Sequence, residues 1–507
     1  MPPLAPREHC DVAVVGGGPV AAVLLNLLGD RGIRAVALEH QTSVHHLPRA
    51  VGCDGEIARV LQSLGLAPQL REVLRPSRGM SFLNEEGDLL LDWSMSPDRV
   101  GDQGWADQYT YHQPAVEQLL RDRIAASEHV QLRTGQRVTR VTELADHVEL
   151  EVQDVAAGSS RTLAADWVVG CDGAGSIVRP TMGSAYQNLG PDQPWLVVDV
   201  VIDEGVQTPE KSVQYCWPSR PHMYLRLPGA RRRWEFMVMP GDDEARLTEE
   251  QQIWSLLEPY VQQGQARLER AAVYRFRSMI ASTWRSGRLM LAGDAAHLQP
   301  PMLAQGLCSG IRDAANLAWK LAAVVTGAAP DTLLDTYEAE REPHVRAWVL
   351  EATRIAAIVQ VTDRELARRR DEVMLSGERV ISSIRPGLGA SALVSPDTTS
   401  GVLSRQLVTD DGGRSDDHLG QDFGLFVTDS LLAQLAPDVR ARIDDLGDAL
   451  TVVTGPAADR YLSGTSGSFA LIRPDRYLLG LGSTGDELAA AVARVPLATT
   501  IGLGAGA

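Results

Sequence analysis

Two glycine-rich stretches in this sequence have residues whose types and spacing could build a binding site from main-chain amides. The first, DVAVVGGGPVAA, contains Gly16-x-Gly18-x-x-Ala21 directly after an apolar run. The first glycine permits a tight turn and the second lets the backbone approach a pyrophosphate. The third position controls helix-to-strand packing, and alanine is accepted there. The phosphates would lie at the N-terminus of a helix that begins with Pro19 and Val20, so we expect a dinucleotide site.

The acidic residue that such a site requires follows at a suitable distance. Glu39 lies 21 residues after Gly18, at the end of a second apolar run. From there its carboxylate can accept hydrogen bonds from ribose hydroxyls. A carboxylate at this place disfavours a 2′-phosphate, so the expected ligand is FAD or NAD rather than NADP.

The second stretch, GDAAHLQPPMLAQGLCSG, begins where a buried strand is expected to end. Asp294 would lie at the carboxyl edge of a sheet and could accept hydrogen bonds from sugar or ribitol hydroxyls. Gly306 then leads into a helix whose first amides, those of Leu307 and Cys308, have no partner within the helix. These amides suit a ring carbonyl that gains negative charge on reduction, as the pyrimidine end of a flavin does. The helix dipole would stabilise that charge by about 0.3 to 2 kcal/mol. We therefore expect the two stretches to bind opposite ends of one ligand.

The elements around these stretches indicate an α/β protein. The first 40 residues alternate strand, glycine turn, helix and strand, which is a βαβ unit. From Tyr186 to Met279 the pattern is mostly strand, which indicates an inserted sheet. A segment rich in Pro, Gly and Ser, from Ser382 to Gly401, then precedes a small α/β unit. We expect a Rossmann-like FAD-binding domain (residues 1–79, 107–185 and 280–380), a β-sheet substrate domain (80–106 and 186–279), a linker (381–400) and a C-terminal domain (401–507).

Composition excludes several classes of protein. The net charge of −17 disfavours binding to nucleic acid. The sequence has no run of about 18 apolar residues and no secretory signal pattern, so we expect a cytoplasmic protein that does not contact a membrane. The five cysteines are too widely spaced for a zinc cluster or a disulfide framework, and we expect no metal.

Three motifs together carry a family resemblance. With VVGGGPVA and GCDGAGSIVR, the stretch GDAAHLQPPMLAQGLCSGIRDAANLAWKLA resembles the single-component FAD-dependent aromatic hydroxylases, the superfamily of para-hydroxybenzoate hydroxylase. Its 3-(3-hydroxyphenyl)propionate hydroxylase group looks the most similar. The resemblance is strong over residues 8 to 380. It is weak over the tail, which is similar to the redox-silent thioredoxin-like domain that many members carry.

The resemblance implies an activity. The protein would be a monooxygenase that hydroxylates a phenolic ring through a flavin 4a-hydroperoxide. Its cofactor would be FAD, with NADH or NADPH as a transient reductant. The other partners would be O2 and a small aromatic substrate. The sequence leaves a homodimer open.

The resemblance also implies roles for individual residues, all of them around the cofactor. The adenosine half of FAD would be bound by Gly16, Gly18 and Glu39, with Val138 touching adenine through its backbone; Arg49 and Gln113 would lie near the pyrophosphate and flavin; Asp172 and Gly173 would serve FAD and reduced nicotinamide; Asp294 would bind the ribitol; Pro300 and Pro301 would face the reacting edge of the flavin.

Three positions depart from the family's pattern. Ala21 and Cys308 replace a glycine and an asparagine, and Ala304 stands where a GQG triplet would begin. If the backbone at residue 304 has a positive φ, Ala304 is strained, and the position of the flavin is affected.

The inserted sheet is expected to form the wall of the substrate site. Alternation along a strand places Val213, Tyr215 and Trp217 on one side. We take Tyr215, Trp217, Tyr224 and Phe236 as candidate substrate contacts. The base that ionises the phenol is not identified, although His222 and Tyr224 are conceivable.

Two alternatives stay open. One keeps the flavin chemistry but epoxidises a polyketide-like substrate or oxidises it by a Baeyer–Villiger reaction. The other is a protein of the same fold that binds a partner and has no redox function.

Overall fold

The computed structural model describes residues 8–44, 49–377, 381, 384–395, 399–409 and 412–497. The predicted linker, 381–400, therefore lies partly outside the described residues. The strands are β1 (Glu8–Val15), β2 (Ala35–Glu39), β3 (Gly52–Asp54), β4 (Leu74–Pro76), β5 (Gly79–Leu83), β6 (Leu89–Ser94), β7 (Gln108–Tyr111), β8 (Val130–Thr134), β9 (Gln136–Glu143), β10 (Val148–Asp154), β11 (Ser160–Gly170), β12 (Tyr186–Asn188), β13 (Gln193–Ile202), β14 (Ser212–Tyr215), β15 (His222–Arg226), β16 (Arg231–Met237), β17 (Ala266–Phe276), β18 (Met279–Ala281), β19 (Arg285–Ser286), β20 (Leu289–Leu291), β21 (His297–Leu298), β22 (Phe423–Val427), β23 (Leu450–Val453), β24 (Phe469–Ile472) and β25 (Leu478–Gly482). The helices are α1 (Pro19–Gly29), α2 (Gly55–Ser63), α3 (Ala67–Val73), α4 (Gln113–Ala125), α5 (Val178–Thr181), α6 (Glu244–Leu247), α7 (Glu250–Leu257), α8 (Gly306–Val325), α9 (Asp335–Val359), α10 (Arg364–Leu375), α11 (Asp429–Ala433), α12 (Pro437–Asp445), α13 (Gly455–Leu462) and α14 (Gly485–Ala493).

The first sheet is built from the apolar runs that flank the two glycine-rich stretches. Its main path is β19-β20-β11-β1-β2-β8, and β1, β2, β8, β11 and β20 run parallel to one another. In a parallel sheet the carboxyl ends of the strands share one edge. The turns that follow β1, β11 and β20 therefore meet at the same edge, although they are far apart in sequence.

Helices α1 and α8 pack closely on this sheet, and two glycines permit that contact. A Cβ atom added at Gly310 would lie 2.6 Å from Cγ2 of Val20 and 3.1 Å from Cα of Gly293. A Cβ added at Gly293 would lie 3.1 Å from the same Val20 atom. The structure thus brings the start of α1 against both the turn after β20 and the first turns of α8.

The second sheet has the order β17-β13-β16-β15-β14-β5-β6 and is antiparallel except between β14 and β5. Because side chains alternate along a strand, this sheet has two distinct faces. The outer face, which includes Trp234 and Phe236, packs against α6 and α7. The inner face includes Arg233 and Glu235, and Nη1 of Arg233 donates to the carbonyl oxygen of Arg49 at 3.1 Å.

The inner face also meets the second glycine-rich stretch. Met80 and Phe82 belong to one hydrophobic cluster with Met302 and Leu303, which lie just beyond the paired prolines. The inner face of the second sheet is thus the face turned toward both stretches.

The C-terminal sheet has the order β23-β22-β24-β25 and packs against helices α11 to α14. Its cluster extends to α8, because Trp319 packs edge-on against Phe423 with ring centroids 5.4 Å apart. In the described part of the chain the five cysteines are free thiols.

The expected α/β class with a Rossmann-like domain is confirmed. The predicted end of β2 at Glu39 is also confirmed. No helix among the described residues is sufficiently long and apolar to span a bilayer.

Gly310→Ala should destabilise the protein by about 1 to 3 kcal/mol, because the added methyl group must displace Val20 or Gly293. Gly306→Ala is the matched control, since a Cβ there has no neighbour nearer than Cγ of Gln299 at 3.9 Å. Urea unfolding of both variants without ligand measures the difference. Equal stability of the two variants would contradict the close contact.

Candidate functional site

The first turn is shaped by a glycine that no other residue could replace. Gly16 has a φ of +101°, and a Cβ there would lie 2.4 Å from the carbonyl oxygen of Cys171. Gly18 is the N-cap of α1, and a Cβ there would have no neighbour within 4 Å. The turn therefore packs against β11 on one side and faces open space where α1 begins, which is the space a pyrophosphate needs.

Glu39 is fixed beside this turn. Its Oε2 accepts a hydrogen bond from the Gly17 amide at 2.7 Å, and its Oε1 accepts from the Gln41 amide at 2.7 Å. Nδ1 of His40 also lies 2.9 Å from Oε1. Oε2 keeps a lone pair beyond its bond to the Gly17 amide, so the group is oriented and can still accept a hydrogen bond from a ligand. Gly135, which precedes β9 and its Val138, donates to the carbonyl oxygen of Gln41 at 3.1 Å. Val138 is thus on a strand that starts beside the Glu39 end of β2.

Asp172 and Gly173 follow β11 at the same edge. Oδ2 of Asp172 accepts from the Ile177 amide at 2.7 Å, whereas Oδ1 is buried and has no partner among the described residues. Burial raises the pKa of this carboxyl group above its ordinary value. Gly173 has a φ of +77° and open space at its Cβ position.

The second turn is held in place by a buried carboxylate. Oδ2 of Asp313 accepts from the Gly293 amide at 3.0 Å and lies 2.6 Å from Nε2 of His297, while its Oδ1 accepts from Nε of Arg341 at 2.9 Å. Burial favours the neutral acid, but His297 and Arg341 outweigh it and lower the pKa of Asp313. The charge of Asp313 therefore fixes the Gly293–Asp294 turn.

Asp294 itself projects from this turn at the common edge. Its side chain is exposed to solvent, yet enough protein surrounds it that desolvation raises the pKa of its carboxyl group. Its backbone carbonyl accepts a hydrogen bond from the Tyr186 hydroxyl. The carboxylate is therefore free to meet ligand hydroxyls while its main chain is fixed.

Helix α8 begins at Gly306, as the sequence predicts, with Gln305 as its N-cap. The amides of Gly306, Leu307 and Cys308 donate no hydrogen bond to any described residue, so their N–H groups are available at the positive end of the helix dipole. Beside Gly306, both amide atoms of the Gln299 side chain are buried without a partner in the described part of the chain.

Residue 304 meets the condition under which its alanine would be strained. Ala304 has φ 54° and ψ 32°, which is the left-handed region that favours glycine. The residue connects the short 3₁₀ turn Pro301–Leu303 to the N-cap of α8, and its carbonyl oxygen accepts from Sγ of Cys308 at 3.3 Å. Pro300 is buried and Pro301 is half-buried in the same loop.

Arg49 and Gln113 are brought together. Oε1 of Gln113, the first residue of α4, accepts from the amides of Arg49 and Ala50 at 3.0 and 2.8 Å. Because Arg233 bonds to the Arg49 carbonyl, Arg49 connects α4 to the inner face of the second sheet. We call the space between the first sheet and this inner face the cleft.

The four candidate substrate contacts lie on the other side of the second sheet. Tyr215, Tyr224 and Phe236 are buried in the outer-face cluster against α6 and α7, and Trp217 packs edge-on against Tyr215 with ring centroids 5.4 Å apart. The structure does not bring these residues to the inner face. His222 lies among them.

His222 is stacked 4.3 Å from Tyr215 and is hydrogen-bonded to the Tyr260 hydroxyl. Burial lowers its pKa to about 4. His222 and Tyr224, the two conceivable bases, both belong to the outer face, and neither contacts the cleft.

The inner face carries a charged group that sequence reasoning missed. Glu235 is 4% exposed, its Oε1 lies 3.8 Å from Nη1 of Arg233, and its Oε2 has no hydrogen-bond partner in the described chain. Burial, opposed by Arg233, raises its pKa to about 7, and Asp199 adds to the rise. Alternation along β16 could have placed Glu235 beside Arg233, but nothing in the sequence identifies which face is inner.

The residues present fit a bound FAD. Open space at Gly18, the unbonded amides after Gly306 and the unpartnered atoms of Asp172 and Gln299 all lie on segments that meet at one edge. Native proteins seldom leave buried polar atoms unbonded, so a ligand that pairs with them accounts for the arrangement. No cluster of His, Cys, Asp or Glu that could hold a metal occurs among the described residues.

Comparison with known proteins agrees with this geometry. Residues 9–352 match the family described as FAD binding domain. The chain is 34% identical to a probable NADH-specific resorcinol 4-hydroxylase of Rhodococcus jostii (strain RHA1), over 98% of both chains. It is 38% identical to a 3-(3-hydroxy-phenyl)propionate/3-hydroxycinnamic acid hydroxylase of Burkholderia vietnamiensis (strain G4 / LMG 22486), over 73% of this chain and 66% of that protein.

Solved structures show the same fold. The flavin-dependent monooxygenase PieE, in complex with FAD and substrate, superimposes with a TM-score of 0.82 at 20% identity, covering 97% of this chain and 99% of its own. RebC soaked with K252c gives a TM-score of 0.78 at 21% identity with the same coverage.

The chain belongs to the FAD-binding family of flavin monooxygenases. The expected class, an FAD-dependent aromatic monooxygenase, is confirmed, and FAD is its cofactor.

Ala304→Gly should stabilise the protein by up to about 1 kcal/mol, because glycine relieves a left-handed backbone at some cost in unfolded-state entropy. Ala315→Gly, in the interior of α8, is the control and should cost about 1 kcal/mol. Urea unfolding measures both. A loss of stability in Ala304→Gly as large as in the control would contradict the strain.

Glu235→Gln should alter the pH dependence of stability. A carboxyl group whose folded pKa is raised stabilises the protein below its ordinary pKa, and this stability is lost as the pH rises through about 7. The shift from 4.5 corresponds to about 3 kcal/mol, which the glutamine variant does not lose.

The free energy of unfolding at pH 5, 6, 7 and 8 tests this, with Glu210→Gln, an exposed carboxylate of the same domain, as the control. The difference between wild type and Glu235→Gln should widen with pH. Parallel profiles for the two proteins would show that Glu235 is not buried as described.

Proposed function

We propose that this protein hydroxylates a single-ring phenol of the resorcinol type, using NADH as the reductant and O2 as the oxidant. The observation that carries the proposal is the close contact of Val20 with Gly293 and Gly310. It brings the starts of α1 and α8 close together, so that one dinucleotide would contact both. Bound FAD supplies the chemistry by the oxygen-activating route implied by the resemblance.

The chain's own residues have distinct tasks in this proposal. The turn at Gly16 and Gly18, with Glu39, binds the adenosine half of FAD. Asp294 binds the ribitol. The amides of Leu307 and Cys308 stabilise negative charge at the pyrimidine end of the reduced ring.

Further residues complete the cleft. Arg49 and Gln113 line it near the pyrophosphate, Val138 contacts adenine through its backbone, and Pro300 and Pro301 face the reacting edge. Asp172 and Gly173 serve the transient approach of the nicotinamide.

We place the substrate wall on the inner face of the second sheet rather than on the outer face. Met223 pairs with Glu235 across β15 and β16, which puts both side chains on the face turned toward Arg49. A buried wall of this kind excludes water and thereby limits side reactions of reactive intermediates. Tyr215, Trp217, Tyr224 and Phe236 support this wall from behind.

A cavity supports entry of an aromatic substrate. It has a volume of about 1150 Å³ and lies between the second sheet, α9 and the C-terminal part of the chain. Met302 and Leu303, next to the proline turn, line one end, and Trp93 and Trp348 line its walls. Aromatic walls suit a planar ring, and the volume exceeds what one ring needs.

The choice of substrate and reductant follows the relative that matches almost the whole chain. The resorcinol hydroxylase aligns over 98% of both chains, whereas the hydroxyphenylpropionate hydroxylase aligns over 66% of its own length. The test is NADH and NADPH oxidation by purified protein with resorcinol, 3-(3-hydroxyphenyl)propionate and a cyclic ketone, with product identified by mass.

The proposal predicts stimulated NADH oxidation and a trihydroxybenzene from resorcinol. A lactone or an epoxide as the product would support instead the alternative flavin oxygenation. A protein that is purified without flavin and cannot be reconstituted with it would support the binding-protein alternative.

Asp294→Ala should weaken FAD binding by about tenfold to a hundredfold, because the ribitol hydroxyls lose a charged acceptor. Equilibrium dialysis with FAD measures the affinity. Asp331→Ala, at an exposed carboxylate before α9, is the control. An affinity for FAD equal to that of wild type in Asp294→Ala would mean that the ribitol contact is misplaced.

A further inference from the structure

The C-terminal domain has no cysteine, since the last one in the sequence is Cys308, so it cannot perform thiol chemistry. It is nevertheless attached to the FAD-binding domain by buried charges. Asp416 pairs with Arg59 of α2 through two hydrogen bonds of 2.7 Å. Arg473 donates to Glu340 of α9 at 3.0 and 2.7 Å. Burying so many charges needs good geometry to be tolerated, and such contacts fix one arrangement of the partners.

A third buried contact leads from this domain to the flavin end of the site. The hydroxyl of Tyr477, directly before β25, donates to Oε1 of Glu56 at 2.9 Å. Oε2 of Glu56 accepts from Nε of Arg312 at 2.6 Å. Nη1 of Arg312 donates to Oε1 of Gln305 at 2.8 Å, and Gln305 is the N-cap of α8. Three hydrogen bonds therefore connect Tyr477 to the residue that precedes Gly306.

The chain of contacts is reinforced from a second side. Asp54 accepts hydrogen bonds from Arg312 and, at 3.1 Å, from Nε2 of Gln305. Burial would lower the pKa of Arg312, but Asp54 and Glu56 outweigh it and hold the pKa well above its ordinary value. Arg312 is thus a permanent cation between two carboxylates, and its guanidinium group presents its donors in fixed directions.

The position of Gln305 determines where the free amides point. Gln305 has helical backbone angles and follows Ala304, whose left-handed backbone is unfavourable for alanine. The local backbone alone therefore does not fix the start of α8. Its side chain is 6% exposed and its Oε1 and Nε2 are both bonded within the Arg312–Asp54 group. A shift of Glu56 or Arg312 would therefore move the N-terminal amides of α8.

We infer that the C-terminal domain positions the flavin: Tyr477, acting through Glu56 and Arg312, holds Gln305 and thereby the amides of Leu307 and Cys308. Tyr477 is a positioning residue in this account: its side chain is among those that line the cavity described above, and its hydroxyl acts on Glu56 rather than on flavin or substrate. The inference rests on the proposed binding of the pyrimidine end of FAD at the start of α8.

The test is Tyr477→Phe, which removes the hydroxyl but keeps the ring. Glu56 then keeps its bond to Arg312 but loses the bond that ties it to the C-terminal domain, so we expect the dissociation constant for FAD to rise about tenfold. We also expect the visible absorption bands of bound FAD to shift, because the amides at its pyrimidine end move. FAD titration of the apoprotein and the spectrum of the saturated holoprotein measure these two effects.

Tyr461→Phe is the matched control. Tyr461 is also a buried tyrosine of the C-terminal domain, and its hydroxyl donates to the carbonyl oxygen of Arg405 at 3.2 Å, away from α8. The two variants should lose similar thermal stability, but Tyr461→Phe should bind FAD like wild type with an unchanged spectrum. Glu56→Gln removes the ionic contact with Arg312 and replaces Tyr477→Phe as the test if that variant does not fold. We expect Glu56→Gln also to raise the dissociation constant for FAD.

The outcomes separate this inference from the proposed function. Wild-type affinity and spectrum in both Tyr477→Phe and Glu56→Gln, beside a wild type that binds FAD and hydroxylates resorcinol, would overturn the positioning role alone. Equal weakening in Tyr477→Phe and Tyr461→Phe would also overturn it, since the effect would then be a general loss of structure. A wild type that takes up FAD but hydroxylates no phenol would contradict the proposed substrate and leave the FAD titration as the test of positioning.

Discussion

Every part of the site depends on the contact that Gly293 and Gly310 make with Val20. Two helices with free N-terminal amides point toward one cleft only if α1 and α8 approach at backbone distance, and a Cβ at Gly310 would already come within 2.6 Å of Val20. The parallel sheet brings the strand ends to one edge, but the glycines determine how near the two helix N-termini come. The closeness of the starts of α1 and α8 is thus set by helix packing.

Around this contact the protein uses buried charge to hold the main chain. Asp313, between His297 and Arg341, fixes the turn that carries Asp294. Arg312, between Asp54 and Glu56, fixes the N-cap of α8. The carboxylates and guanidinium groups of both clusters are hydrogen-bonded, whereas Nδ1 of His297 has no partner among the described residues. Strong, directional hydrogen bonds between the charged groups offset the cost of their burial. Adjacent residues on α8 thus support the two ends of the same loop, and the second support extends to the C-terminal domain.

Much of the fold, and the placement of the two glycine-rich turns in it, could be predicted from sequence because their signals are local. A glycine fingerprint after an apolar run, an acid at the next strand end and a glycine before a helix each depend on few neighbours. For Ala304 the sequence supplied only a condition for strain, and the positive φ that meets it is known from the structure. By contrast, the faces of the second sheet could not be assigned. Alternation shows that Tyr215 and Gln214 lie on opposite faces, but it does not show which face is turned toward the cofactor. Aromatic residues suggested a substrate wall, but they pack against α6 and α7. The supports at Asp313 and Glu56 were also missed, since their partners are distant in sequence and only the tertiary structure pairs them.

The most direct test of the account is a crystal structure of the protein with FAD. We predict that the pyrophosphate lies at the N-terminus of α1 and that a carbonyl oxygen of the pyrimidine ring lies about 2.7 to 3.2 Å from the amide nitrogens of Leu307 and Cys308. An isoalloxazine ring bound elsewhere, with those amides facing protein or solvent, would contradict it.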